Sequence, residues 1–464
     1  MTARRPSERL RRPQPLLRRR IRSGRGATEQ PNVTGDEDVP LTLRFWLVIV
    51  LTGVGAGLFG VLLMMLLFTV SDLGFGPGAG WGNFQDAVIR ASAWGRVVPL
   101  LIAGVIGGLG WFVLCRYVPG RSDVDDAIWT GDGSLSFSRS AGTSVLSEIV
   151  VGLGASLGRE AAPKLMGGVC ASLLARWSGL SVPQRRLLVA CGAGAGLACV
   201  YNVPLGGALF TAEVLVGTVR LPVILPAVGC SSVATLVAWL YLPTQQTYPS
   251  VPDYGFHPAQ LGWAVLAGPL IGVIAVGFVR MVGWVSHFRP SGWPALVAPL
   301  AAFTVLAGIG LRYPQLYGNG KDMAEQAFLG TGPMLLFATL FVLKPLVTCL
   351  CLGSGVSGGL FTPTLSIGAV LGAFLGSAWS LLWPGTPVGA YAIIGAAAMM
   401  GAGMQAPLAG LALMLELSHR GFGLTVPMAF ATVMATAIAR WIDGYSIYSA
   451  RLAPQPVQPR RPPS

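Results

Sequence analysis

The sequence predicts an all-helical integral membrane protein, made of two repeats of inverted topology that contain many tilted and broken helices. Three observations predict this class. Of the 464 residues, 53% are hydrophobic and 11% are charged, and the mean hydropathy is +0.63, a composition typical of a polytopic membrane protein and not of a soluble enzyme. Many apolar segments are shorter than the ~20 residues that a spanning helix needs. The two halves of the chain also repeat one another.

A basic tail precedes the first apolar segment. Residues 1–41 contain ten arginines, which are Arg4, Arg5, Arg9, Arg11, Arg12, Arg18, Arg19, Arg20, Arg22 and Arg25. The tail is predicted to be disordered and cytoplasmic, because arginine-rich segments stay on the inner side of the membrane. Residues 451–464 are also basic and proline-rich, so both termini are expected in the cytoplasm, below the cell membrane. The net charge of +13 therefore indicates orientation in a lipid bilayer and not binding of nucleic acid.

The apolar segments divide the remaining chain into a first membrane repeat (42–242), a polar linker (243–258) and a second membrane repeat (259–450). The segments are 42–70, 97–118, 143–157, 164–177, 185–201, 204–219, 222–242, 259–286, 294–312, 333–352, 360–383, 389–403, 407–418 and 424–442. Short segments interrupted by glycine and proline, at matching places of two halves, indicate a binding site built from broken helices.

One motif of the first half recurs in the second. Asn202–Leu209 (NVPLGGAL) matches Gln405–Ala412 (QAPLAGLA), and Glu213 falls on Glu416 at the same offset. Each half therefore contains a proline-led helix followed by a glutamate. This repetition is the signature of a transporter or channel whose site lies between two repeats.

A glycine-rich break is the strongest candidate site. Gly154–Pro163 (GASLGREAAP) interrupts apolar sequence just before a helix, and its second part aligns with Gly358–Pro363. Unwound backbone is tolerated in a membrane only where it is buried in protein or lines a watery cavity, and an ionisable residue there is a functional candidate. The free N–H groups of a helix start favour an anion, which can be Glu160 itself. The alternative is that Glu160 only caps a helix or pairs with Arg159.

Taken together, these motifs resemble those of the CLC family of chloride channels and chloride/proton antiporters, over roughly residues 42–452. The resembling segments are Gly158–Glu160, Gly353–Pro363, Gly444–Ala450, Pro314 with Gly318 and Gly320, and Asn202–Leu205 with Glu213. The residues that support the two glycine motifs are Gly158, Arg159, Gly359 and Pro363.

The resemblance implies a site for chloride or another small monovalent anion. The backbone N–H groups of Leu360 and Phe361 and the hydroxyl of Tyr448 would hold the ion, without a full positive charge, so that it can also leave. Glu160 would be the gate, because its carboxylate competes for the anion position. The resemblance also implies a homodimer with one pathway in each subunit.

The sequence departs from the family pattern near its anion-binding serine. Val118–Asp123 stands in place of Gly-Ser-Gly-Ile-Pro-Glu, and the acidic segment Asp123–Ile128 sets the register. Pro119, followed by Gly120, then occupies the serine position. In the family, a proline there accompanies nitrate preference, so nitrate is an alternative to chloride. A slip of register that brings Ser122 into the site is the other alternative.

A second group of departures concerns the gate and the proton route. Ala161 and Ala162 replace the glycine and proline that follow the gating glutamate, and Val214 stands where proton-coupled members have an inner glutamate. Valine cannot relay a proton. Anion movement is therefore predicted to be channel-like or weakly coupled to protons, with an anion/proton antiporter as the alternative if Glu213 substitutes.

Metal, cofactor and enzyme functions are not predicted. The three histidines are scattered, and no metal-type spacing joins them to the seven cysteines. The cysteines are interpreted as small buried residues. An integral-membrane enzyme would need a nucleophile or metal cluster at the membrane surface, for which the sequence offers no candidate.

Overall fold

The computed structural model describes residues 39–452, and the described chain is almost entirely helical. The arginine-rich tail up to residue 38 and residues 453–464 lie outside it. The helices are α1 (Leu43–Phe75), α2 (Phe84–Arg90), α3 (Ala93–Tyr117), α4 (Val124–Trp129), α5 (Phe137–Gly152), α6 (Ala161–Trp177), α7 (Val182–Tyr201), α8 (Pro204–Phe210), α9 (Leu221–Ala238), α10 (Pro258–His287), α11 (Pro294–Arg312), α12 (Lys321–Phe328), α13 (Met334–Gly353), α14 (Phe361–Trp379), α15 (Val388–Met404), α16 (Pro407–Ser418) and α17 (Thr425–Ile442). A π-helical turn, Thr211–Val216, extends α8.

The predicted all-helical membrane class is confirmed. Eight helices within residues 39–452 are long and apolar enough to cross a bilayer; these are α1, α3, α9, α10, α11, α13, α14 and α17 with its preceding turn. The central helices α7 and α15 are buried along almost their whole length, so other helices and not lipid surround them. The short helices α2, α4 and α12 were not predicted, because none of them contains an apolar run.

The two glycine-rich breaks lie side by side. Gly158 donates its N–H to the carbonyl of Gly359 at 2.8 Å, and Gly359 returns the same bond to Gly158 at 2.8 Å. Helices α6 and α14 begin directly after these breaks. The N-termini of two helices, one from each half, therefore meet inside the protein.

A second reciprocal contact joins the halves. The carboxylate of Glu416 accepts the N–H groups of Leu205 (3.0 Å) and Gly206 (2.5 Å), at the start of α8. The carboxylate of Glu213 accepts the N–H groups of Leu408 (3.3 Å) and Ala409 (2.6 Å), at the start of α16. Each glutamate thus caps a helix of the other half and satisfies backbone donors that lack a partner within their own helix.

Both ends of the described chain lie on one face of the protein, called here the tail face. Gln184, at the start of α7, donates to the carbonyl of Pro40 at 3.0 Å, and Arg451 is close enough to Asp125 for its charge to act on that carboxyl. On the opposite face, Gly318 donates its N–H to the carbonyl of Gly154 at 2.9 Å. Helix α5 therefore runs from the tail face towards the first glycine-rich break.

The cysteines are free, and the expectation that they are buried is wrong for one of them. Cys115 is exposed at the end of α3 and accepts a contact from Arg139 at 2.9 Å. Cys170 is partly buried, and the other five are buried. Cys115 departs from the expectation because it lies in the last turn of α3, whose final residues are exposed.

Candidate anion site

The carboxylate of Glu160 lies at the N-terminus of α14, the helix of the other half. It accepts the N–H of Phe361 at 2.8 Å, the hydroxyl of Tyr201 at 3.0 Å and the hydroxyl of Thr362 at 3.2 Å. Only 3% of the residue is exposed. A negative charge is stabilised there by the free N–H groups and the positive end of the helix dipole.

Two glycines leave the room that this carboxylate occupies. A Cβ atom added to Gly158 or to Gly359 would overlap the carboxylate oxygens of Glu160. Because the reciprocal backbone bonds hold these two glycines together, the position cannot widen to accept a side chain. This is the close approach for which a glycine is required.

Glu160 caps a helix, but that helix is not its own. Glu160 is the residue just before α6, yet its side chain makes no capping hydrogen bond to that helix in the described chain. Arg159 does not pair with it either, since the guanidinium lies over the ring of Tyr201, 5.1 Å from the centroid. The carboxylate caps the opposite helix instead.

Two of the hydrogen-bond donors to Glu160, the hydroxyls of Tyr201 and Thr362, were not predicted from the sequence. The hydroxyls of Tyr201 and Thr362 also contact one another at 2.6 Å. Thr362 lies inside the second glycine motif, which is the signal in the sequence that points to it. Tyr201 ends α7, and nothing in its spacing from Glu160 indicates that the two residues meet.

A buried ion pair lies beside Tyr448. The ammonium of Lys164 contacts both carboxylate oxygens of Asp125, at 2.9 and 3.0 Å, and the two residues are 9% and 5% exposed. The same ammonium lies 4.3 Å from the ring centroid of Tyr448 and 5.6 Å from that of Phe210. Neither residue was predicted to belong to the site, since Asp125 served only to set a register and Lys164 belongs to none of the motifs.

The structure brings together only part of the anion-binding set expected from the sequence. Leu360 and Phe361 are buried at the start of α14, beside Glu160. Tyr448 is buried against Phe210, with ring centroids 5.6 Å apart, and within residues 39–452 no hydrogen bond joins it to Glu160. Pro119 lies apart from both groups.

Pro119 and Gly120 are exposed, in the link that follows α3. Gly120 has a φ of +124°, a conformation that favours glycine. A Cβ atom at Gly120 would lie 2.5 Å from that of Ser136, just before α5. Both residues are thus on the tail face, outside the Glu160 cluster.

Val214 and Glu213 differ in their surroundings. Val214 is fully buried in the π-helical turn, whereas Glu213 is partly buried. Both oxygens of Glu213 accept backbone N–H groups of α16. This carboxylate therefore has a structural partner on each of its oxygens.

A cavity of about 230 Å³ approaches Glu160 from the face opposite the tails. Arg159, Tyr201, Lys321 and Asp322 are among the residues that line it. Asp322 accepts the N–H of Gln85 at 2.8 Å, and burial raises the pKa of this carboxyl. Solvent ions can therefore reach the two residues that contact or flank Glu160.

The sequence matches the family model described as voltage gated chloride channel over residues 104–440. It is 31% identical, over 389 residues, to the voltage-gated ClC-type chloride channel ClcB of Escherichia coli (strain K12 / DH10B), with 80% of this chain and 90% of the relative covered. The fold is similar to that of a slow cyanobacterial Cl⁻/H⁺ antiporter, with a TM-score of 0.76, 21% identity and coverage of 88% and 97%. It is also similar to a CLC-type fluoride/proton antiporter, with a TM-score of 0.69, 22% identity and the same coverage.

Proposed function

Since this chain belongs to the voltage-gated chloride channel (CLC) family, we propose that its CLC-type chloride transport is gated by Glu160. One observation carries the proposal. The Glu160 carboxylate accepts the N–H of Phe361 and the hydroxyls of Tyr201 and Thr362, and these donors suit a chloride ion equally well. The gate and the transported anion would therefore compete for one position.

The gating mechanism follows from this competition. When Glu160 is protonated, or when an anion displaces it, the carboxylate leaves the N–H of Phe361, and chloride takes its place at the N-terminus of α14. Neutral donors hold the ion without a full positive charge, so it is bound and still able to leave. Leu360 presents the adjacent N–H, and Tyr448 with its neighbouring Lys164 would meet the ion nearer to the tail face.

Transport itself, and its coupling to protons, are tested together. We expect purified protein in liposomes to carry chloride down a gradient, while a pH probe records little or no uphill proton movement. The reason is that Val214 is aliphatic and that N–H groups occupy both oxygens of Glu213. Proton movement at a fixed ratio to chloride would favour the antiporter instead, and absence of chloride flux relative to empty liposomes would contradict the proposal.

Selectivity is expected to depend on Pro119. Proline offers neither a hydroxyl nor a backbone N–H to chloride, so Pro119 and Gly120 would favour nitrate or another polyatomic anion at the tail-face entrance. Pro119→Ser should raise the permeability of chloride relative to nitrate, measured as a reversal-potential shift in mixed-anion solutions. An unchanged ratio would contradict both the role of Pro119 and the register that assigns it.

The protein is also proposed to be a homodimer in the cell membrane, with both termini in the cytoplasm. The family resemblance supports the dimer. Leu205 and Leu408, the residues whose N–H groups the reciprocal glutamates accept, are about half exposed and apolar, which suits contact with a second copy or with lipid. The mass of the detergent-solubilised protein distinguishes a dimer, in which a second copy covers these leucines, from a monomer, in which lipid covers them.

A further inference from the structure

Glu148 is a fully buried carboxyl that has no hydrogen-bond partner in the described part of the chain. It lies in α5 and is 0% exposed. Neither of its oxygens has a hydrogen-bond partner among residues 39–452. An ionisable residue inside a membrane protein is expensive to keep and marks a functional site by default.

The neighbours of Glu148 on α5 fix its depth in the membrane. Ser144, one turn nearer to the tail face, donates to the carbonyl of Ala162 in the first turn of α6 at 3.4 Å. Ser147 donates to the carbonyl of Ser357, in the second glycine-rich break, at 2.9 Å. Since α6 runs from the first break towards the tail face, Glu148 lies level with the break that contains Glu160.

A polar stripe joins this level to the tail face. Ser140, Ser144 and Glu148 follow one another at intervals of four residues, on one side of α5. They span about 12 Å at 1.5 Å per residue. All three are buried, and the hydroxyl of Ser140 also has no partner within the described chain. Hydroxyls both donate and accept, and side chains four residues apart on a helix are about 5–6 Å apart, so such a stripe can pass a proton when water bridges its members.

The surroundings of Glu148 keep it protonated. An isolated ionised carboxylate is strongly disfavoured in an apolar interior and is neutral there instead. The charges that act on Glu148 are those of Arg159 and Glu160. The other charged residues of the helices that pack against α5 are Arg44 and Asp72 of α1, Arg96 and Arg116 of α3, and Lys164 and Arg176 of α6.

We propose that Glu148 is a second proton-binding group of the pathway, which takes up protons from the tail face and passes them to Glu160. The inference rests on the proposed gating role of Glu160. The charge of Glu160 acts on Glu148, and two such carboxyls repel one another when both are ionised. Glu148 and Glu160 therefore share at least one proton. While Glu160 occupies the anion position as a carboxylate, Glu148 holds the proton.

The transfer is balanced in protons and charge. One proton leaves the carboxyl of Glu148 and binds the carboxylate of Glu160, which then releases the N–H of Phe361. Glu148 becomes an anion, which Arg159 stabilises by its charge. It regains a proton from the tail-face solution through Ser144 and Ser140. The route bypasses Val214 and gives the gate a response to tail-face pH. A gate that admits many chloride ions for each protonation of Glu160 needs no fixed ratio of protons to chloride, so this response is compatible with the weak coupling expected above.

The test uses the full chain in patches of proteoliposome membrane, with the pH set separately on each face and an N-terminal tag marking the tail face. In the wild type, chloride current should rise as the tail-face pH falls at constant pH on the other face. Glu148→Gln, which keeps the shape but cannot titrate, should lose this response and keep a chloride current. Glu148→Asp should restore it in part, and Glu325→Gln, a change on α12 instead of α5, should leave it unchanged.

An infrared measurement addresses the proton directly. The carbonyl band of a protonated carboxyl should be present in the wild type at neutral pH and reduced in Glu148→Gln. An unchanged band, a tail-face response that persists in Glu148→Gln, or a wild type without any such response would each overturn the inference. These outcomes do not contradict the proposed function. The proposed function fails only if the chloride current is absent or independent of Glu160.

Discussion

Replacing Glu160 with glutamine is expected to open the chloride pathway and to remove its dependence on the pH of the face opposite the tails. In the wild type, protons from that face neutralise the carboxylate and weaken its three hydrogen bonds to Phe361, Tyr201 and Thr362. Hydrogen bonds to a charged group contribute about 1.5–3 kcal/mol each. Protonation of Glu160 removes the charge from these bonds, and the weakening of one of them is enough to raise the fraction of open pathways about tenfold or more.

The measurement is chloride current as a function of pH on the cavity face. The wild-type current should rise as pH falls, because protonation releases the gate. Current through Glu160→Gln or Glu160→Ala should be high and flat across the same range. Glu325→Gln is the matched control, a glutamate that does not touch Phe361, Tyr201 or Thr362. A Glu160 variant with wild-type current and pH dependence would contradict the assignment of the gate.

The second large effect concerns the buried pair of Lys164 and Asp125. Removal of one partner of a buried ion pair leaves an uncompensated charge and costs about 3–5 kcal/mol. Lys164→Met is therefore expected to lower the apparent unfolding temperature of the detergent-solubilised protein markedly. The double variant Lys164→Met/Asp125→Leu should recover much of the loss, because apolar replacements of both partners are tolerated.

A neighbouring exposed pair provides the control. Arg121 and Asp126 form an ion pair at 2.6 Å, with both side chains more than a third exposed, and such surface pairs contribute about 0–1 kcal/mol. Arg121→Gln should thus shift the unfolding temperature little. Equal temperatures for the wild type and Lys164→Met would mean that the pair is not buried from solvent as described.

The sequence predicted the helical fold, and it singled out Glu160, whose role as the gate stays a prediction. Hydropathy and the repeated motif around Asn202 and Gln405 sufficed for the helices, because each apolar run is a local signal. Glu160 was a candidate from the sequence because a charge in a glycine-rich apolar break is rare. The same local argument located Phe361, which begins the matching helix of the other half.

Contacts between distant segments could not be predicted. Tyr201 and Lys164 lie on the site because α7 and α6 cross beside it, and their spacing along the chain has no relation to that crossing. Glu148 appeared as one glutamate in an apolar run, and only its missing partners in the folded chain single it out. Pro119 was assigned to the site through a resemblance. Its exposure on the tail face depends on the path of the link after α3, which the sequence does not predict.

The reciprocal glutamate caps have a consequence for how the protein is made. Gly206 receives its partner from Glu416, 210 residues later in the chain. At about 5–20 residues per second, a ribosome needs roughly 10–40 s to synthesise that stretch. A first half that inserts before the second is made would hold backbone donors of α8 without this partner. The newborn half therefore depends on the insertion machinery, or on water held beside it, until the second half arrives.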